Sequence, residues 1–207
     1  MVSPASTRIA NAALFCLIVT VSAAASPPFQ PASAERGKAL AATCVACHGA
    51  PEATADDPPI HPPKLAGQRP EAIFLALIEY KRGARKSAVM GPLVAAIPMQ
   101  DLRDLGAYLS AEGPVKPPTV AGEGSWAHEK VHRDCTACHG ETGMGEMWGI
   151  PVLTGQNVDY LLHALNAYRS GARKNAVMGP IAAGLTPREI EQLAEYFSMQ
   201  TYLRNIP

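Results

Sequence analysis

Two stretches pair a thiol with a second thiol three residues on and an imidazole directly after it. They are Cys44-Val-Ala-Cys47-His48 and Cys135-Thr-Ala-Cys138-His139. On a helical turn, thiols at i and i+3 face the same way and can add to the two vinyl groups of one porphyrin. The histidine that follows then falls beneath the iron, which is the attachment chemistry of a c-type haem. One such motif alone also fits a redox dithiol or half of a zinc site. Zinc needs further Cys or His at ligand spacing near each pair, which neither half clearly provides. Two copies imply two covalently bound haem c groups, with His48 and His139 as iron ligands.

A haem iron has a sixth position, and what fills it decides function. The phrase Ala-Arg-Lys-Ser-Ala-Val-Met-Gly-Pro (84–92) returns as Ala-Arg-Lys-Asn-Ala-Val-Met-Gly-Pro (172–180). Its methionines stand 42 residues after His48 (48 to 90) and 39 after His139 (139 to 178). Methionine usually fills core gaps, but duplicated context points to Met90 and Met178 as the second ligands. A thioether there favours reduced iron and closes the site to small molecules. Met99 has Pro187 as its counterpart, and Met144 and Met147 follow His139 too soon. His61, His128, His132 and His163 have no histidine in the matching place and read as surface or core residues.

Further repeated residues fit supporting roles. Pro63 and Pro151 precede Lys-Leu-Ala-Gly-Gln and Val-Leu-Thr-Gly-Gln. Their carbonyls either accept the second ring N–H of the ligating histidines, as metal second shells do, or the prolines simply stiffen a loop. Tyr80 and Tyr168, with Arg85 and Arg173, either serve haem propionates or end helices. Lys81, Arg82, Arg85, Lys86, Arg169, Arg173 and Lys174 read as a solvated basic face, with a rim beside the methionines as the alternative.

The elements that position these groups come in two matched halves. The CxxCH motifs match at an offset of 91 (44 to 135) and everything from Leu65/Leu153 onward at 88. The first half therefore holds three extra residues in its proline-rich stretch after Gly49. Pro/Gly-rich residues 111–125 form the linker, giving domains 26–113 and 114–207. The reading is all-α with almost no sheet. Ile73, Leu77 and Tyr80 share one helical face, as do Val158, Leu161, Leu162, Leu165 and Tyr168. Pro70 suits a first turn, and Gly83 and Gly171 suit helix stops. Thr186, Pro187 and Glu189 make a capping box before Ile190, Leu193, Ala194 and Phe197. Pro98 denies the first half that cap.

Composition agrees. Hydrophobic residues are 47% and aromatics only 6% of the 207, so a flat cofactor would supply apolar bulk. Lys+Arg and Asp+Glu balance at 18 each, which gives no footprint for nucleic acid. Arg8, the apolar run 12–21 and small residues at Ala23 and Ala25 read as a secretory signal over residues 1–25. That run is too short to span a bilayer comfortably. Its removal takes Cys16 and leaves four cysteines, all used by haem attachment.

CVACHG followed by PKLAGQ, then a methionine before a Tyr-containing final helix, resembles class I cytochrome c. Two such units behind a signal resemble the di-haem cytochrome c4 family over roughly residues 34–200. The resemblance implies two tandem cytochrome c-like domains related by a pseudo-twofold, each wrapped on one covalently bound haem. It implies a periplasmic electron carrier in a respiratory chain and not an enzyme. The partners would be redox proteins such as a terminal oxidase, a quinol-oxidising complex or a dehydrogenase, and peripheral membrane association is compatible with them. A dedicated cytochrome subunit of an exported dehydrogenase complex is the close alternative, and a di-haem oxidoreductase the distant one. Carried over by position, Cys44, Cys47, His48 and Met90 hold the first haem, and Cys135, Cys138, His139 and Met178 the second. One departure stands out: Gly37 lies seven residues before Cys44 for close helix crossing, but His128 takes that place in the second half.

Overall fold

The computed structural model describes residues 30–54, 60–111, 124–145 and 147–206. The expected signal over 1–25, most of the linker and part of the proline-rich insertion lie outside the described residues.

Ten helices are described. The first half has α1 (Ala34–Leu40), α2 (Ala42–His48), α3 (Pro70–Lys81), α4 (Met90–Ala95) and α5 (Met99–Ser110). The second has α6 (Trp126–Asp134), α7 (Thr136–His139), α8 (Val158–Arg169), α9 (Met178–Ala183) and α10 (Pro187–Ser198). From α3/α8 onward, each pair starts 88 residues apart, as the sequence offset requires. Among the described residues β structure is confined to isolated bridge positions, among them the antiparallel bridge between Ala66 and Arg204.

Local chemistry accounts for the boundaries. Pro70 opens α3 and Pro187 opens α10, where a missing N–H costs no helical bond. Thr186 accepts from Glu189 N while the Glu189 carboxylate accepts from Thr186 N, completing the capping box. Its counterpart α5 starts after Pro98 with no side-chain cap. Gly83 and Gly171 take φ of 68° and 75° just past α3 and α8, conformations that suit glycine.

Each half buries its own core. Ile73, Leu77, Val94, Leu102, Leu105 and Leu109 pack together in the first half. Val131, Leu161, Leu185, Ile190, Leu193 and Phe197 do so in the second. The α8 stripe is only partly buried: Leu161 is inside, Leu162 and Leu165 pack against the core, and Val158 at the first turn is exposed.

The helix crossings differ between halves. A Cβ on Gly37 would lie 2.0 Å from the Asp104 carbonyl oxygen, so α1 crosses α5 with backbone nearly touching backbone. Asp104 fixes the crossing by accepting from Ser33 N and from Arg36 Nε (2.7 Å) and Nη2 (3.0 Å). In the second half the His128 ring stands 6.2 Å from the Tyr196 ring and edge-on to His132. The second N-terminal helix thus packs through side chains.

The halves meet across a near-symmetric seam. Gln68 accepts from Val152 N (2.7 Å) and donates to Val152 O (3.0 Å). Its counterpart Gln156 accepts from Lys64 N (2.8 Å) and donates to Lys64 O (3.0 Å). Lys64 and Val152 are themselves repeat partners (64 + 88 = 152), so the two contacts are one contact written twice.

Candidate haem-binding sites

The proximal residues sit where α2 and α7 end. Cys44 and Cys47 lie within α2, whereas Cys135 caps α7 and Cys138 lies inside it. None of the four is in a disulfide. Cys44 and Cys135 pack against the cores of their halves. Burial pushes the Cys44 thiol up, and burial with Asp134 beside it pushes Cys135 up to about 11. Both stay protonated at neutral pH, which suits thioether-forming thiols better than zinc thiolates. Among the described residues no group of three or more His, Cys, Asp or Glu could hold a metal ion.

His48 and His139 are buried, at 8% and 7% exposure. His48 Nδ1 lies 2.8 Å from Pro63 O, and His139 Nδ1 lies 3.1 Å from Pro151 O. A carbonyl only accepts, so Nδ1 carries the proton and Nε2 keeps its lone pair. Burial holds both imidazoles below the ordinary histidine value, with the proline carbonyls pulling back. A neutral ring with a free Nε2 and an anchored Nδ1 is what an iron ligand requires.

The methionines open α4 and α9. Neither helix has a capping side chain at its formal N-cap, Val89 or Val177. The cap comes from two residues earlier. Ser87 Oγ accepts from Met90 N (3.0 Å) and Val89 N (3.3 Å), and Asn175 Oδ1 accepts from Met178 N and Val177 N (2.9 Å each). The one polar position that varies inside the repeated phrase thus does one job in both halves. Serine and asparagine are both short-armed acceptors, and that interchange was the signal a reading centred on methionine missed. A Cβ on Gly91 or Gly179 would meet nothing in the chain, so neither glycine is demanded by protein packing.

Arg85 and Arg173 correct the reading of a solvated basic face. Arg85 is 7% exposed, and its Nη2 donates to the Tyr160 hydroxyl of the other half at 2.7 Å. Arg173 Nη2 donates to Glu79 of the first half at 3.0 Å. Each guanidinium also lies 4.6 Å over a tyrosine ring of its own half, Tyr80 or Tyr168. The seam shields both cations, a placement that sequence periodicity does not disclose. Arg82, Lys86, Arg169 and Lys174 remain exposed as expected. Nε of Arg173 is buried with no partner, a donor awaiting an acceptor. It borders an open cleft of about 450 Å³ lined by Tyr168, Lys174, Asn175 and Gly179. An unsatisfied guanidinium N–H beside such a cleft fits a flat group that carries carboxylates, so the chain's residues fit haem.

With this geometry in view, likeness to known proteins decides the family. The cytochrome c family matches twice, over residues 34–111 and 127–200. Cytochrome c4 of Pseudomonas aeruginosa is 34% identical over 176 residues, covering 79% of this chain and 86% of that protein. The chain belongs to the cytochrome c4 family. As a cytochrome c4 it is an electron-transfer protein with two covalently bound haem c groups. The crystal structure of reduced recombinant cytochrome c4 from Pseudomonas stutzeri superposes with a TM-score of 0.66 at 31% identity, covering 81% of this chain and 98% of that one. A protein named thiosulfate dehydrogenase electron acceptor, from Stutzerimonas stutzeri, is 34% identical over 179 residues, covering 76% of this cytochrome c4 and 79% of that protein. Among the described residues no helix is long and apolar enough to cross a membrane.

Proposed function

We propose that this cytochrome c4 is a periplasmic carrier whose two haem sites are both closed. Bound haem supplies a one-electron iron couple, and the chain determines what else can reach it. Cys44 and Cys47 hold one haem by thioether bonds and Cys135 and Cys138 the other. His48 and His139 present Nε2 to iron with Nδ1 anchored on Pro63 O and Pro151 O. Met90 and Met178, with their amides capped by Ser87 and Asn175, would supply the second ligand to each iron, and Arg85 and Arg173 would attend the propionates. Residues 1–25 are an export signal, and residues 26–113 and 114–207 are the two functional domains.

What carries this reading is that both halves repeat the whole set: anchored histidine, paired thiols, capped methionine and an arginine bonded across the seam. Neutral, buried imidazoles favour ligation over acid–base chemistry. A thioether ligand would raise the potential of the iron and would leave no exchangeable position for substrate. The donor and acceptor are redox proteins. The relative named as a thiosulfate dehydrogenase electron acceptor supports a second reading, in which the donor is a dedicated exported dehydrogenase.

Carbon monoxide added to the reduced holoprotein at neutral pH tests closure. The expected result is no binding until the methionine bonds are broken by denaturant or by replacing Met90 or Met178. Rapid stoichiometric binding to the unaltered protein contradicts it.

A further inference from the structure

The second half breaks the repeat along its first helix. There α6 reads His128-Glu129-Lys130-Val131-His132. At the offset of 91, the first half has Gly37, Lys38 and Ala41 in place of His128, Glu129 and His132. Those first-half places serve packing: Gly37 lets α1 touch the backbone of Asp104, and Ala41 is buried. In the second half Gln192 and Ala127 stand where Asp104 and Arg36 bond each other. Helix α6 therefore has neither the close crossing nor that ion pair.

What it has instead is two imidazoles one helical turn apart. Residues i and i+4 are neighbours on a helix face, and this spacing lets one helix offer two ring nitrogens to a single metal ion. The two ring centroids lie 4.6 Å apart, edge to face. Tetrahedral zinc with bonds of about 2.0–2.1 Å sets two ligand nitrogens about 3.3 Å apart, within reach of rings so placed. His132 is exposed and His128 half-buried, so the pair opens to solvent. Nδ1 of His128 takes a long bond of 3.4 Å from Gly124 N, which a metal can displace. His132 lies in the last turn of α6, where positive charge suits the unbonded carbonyls. The basic neighbours are already occupied, since Lys130 and Arg133 pair with Asp134 at 2.8 and 3.1 Å.

We propose that His128 and His132 form a binding site for a divalent transition-metal ion of the zinc kind, for which imidazole is a fitting ligand, with water completing its coordination. The ion staples one turn of α6. It supplies to the second half the rigidity that the Gly37 crossing and the Arg36–Asp104 pair give the first. Glu129 adds an exposed negative charge beside the pair. Among the described residues no third side chain completes the set, whereas a catalytic zinc keeps three protein ligands. The assignment is therefore to binding and not to hydrolysis.

The test is calorimetric titration of the tag-free holoprotein with zinc chloride at neutral pH. Zinc is redox-inert and takes no electron from haem iron. The expected result is one zinc per chain. His128→Ala or His132→Ala should weaken binding at least as much as the loss of an outer-shell partner does, about 10–100-fold. His61→Ala, which removes the imidazole paired with Asp159, should leave it unchanged. Hydrogen exchange gives a second readout: zinc slows exchange of α6 amides in the unaltered protein and not in His132→Ala. That variant alters an exposed position, so a folding defect does not mimic the result. Absence of saturable binding, binding that survives both α6 variants, or binding lost with His61→Ala overturns the proposal.

Discussion

Gly37 shows how much a single position can hold. With its absent Cβ only 2.0 Å from the Asp104 carbonyl, Gly37→Ala forces α1 off α5. The expected cost is about 1–3 kcal/mol, as for other overpacked crossings. His128, half-buried, holds the matching place through ring contacts, and replacing it with Ala costs about 1 kcal/mol, the usual size for a partly buried substitution. Denaturant unfolding of the two holoprotein variants separates these outcomes. Equal losses would show that the crossings are alike. At this scale the candidate ligands stand out in the sequence, because CxxCH and a twice-written methionine depend on spacing. The sequence displayed the supporting residues poorly. Whether Pro63 and Pro151 stiffened loops or served histidines depended on where their carbonyls pointed, and Arg85 looked solvated until Tyr160 from the other half covered it.

Among the elements, helix starts were legible wherever a side chain or proline makes the boundary, as at Thr186 and Pro70. The segment after α10 was not, since Thr-Tyr-Leu-Arg-Asn-Ile has no helical or alternating period. It returns across the seam as a strap. Ala66 and Arg204 exchange backbone bonds of 3.2 and 3.1 Å, and Ile206 N donates to the carbonyl of His48 at 3.2 Å. Ile206 is buried in the first-half core, so one half completes the other beside His48. Ile206→Ala should cost about 2–5 kcal/mol, and the loss should fall on the first half. Hydrogen exchange of the holoprotein would then show lost protection in α2 and α5 with α8 and α10 unchanged. Uniform loss across both halves, or none, contradicts a strap that serves the first site.

For the molecule as a whole, duplication was the most legible feature, and it led to the all-α pair of cytochrome c domains that comparison bears out. The union of the halves was hidden, because Gln68 and Gln156 read as parts of a motif and not as seam contacts until their amides met Val152 and Lys64. The central claim is that both irons are closed by histidine and methionine and pass single electrons. Optical redox titration of the holoprotein tests it most directly. The account predicts two electrons per chain at positive potentials, with a methionine–iron band of two-site intensity that halves when either Met90 or Met178 is replaced. One electron per chain, or a band already at half intensity in the unaltered protein, would contradict it.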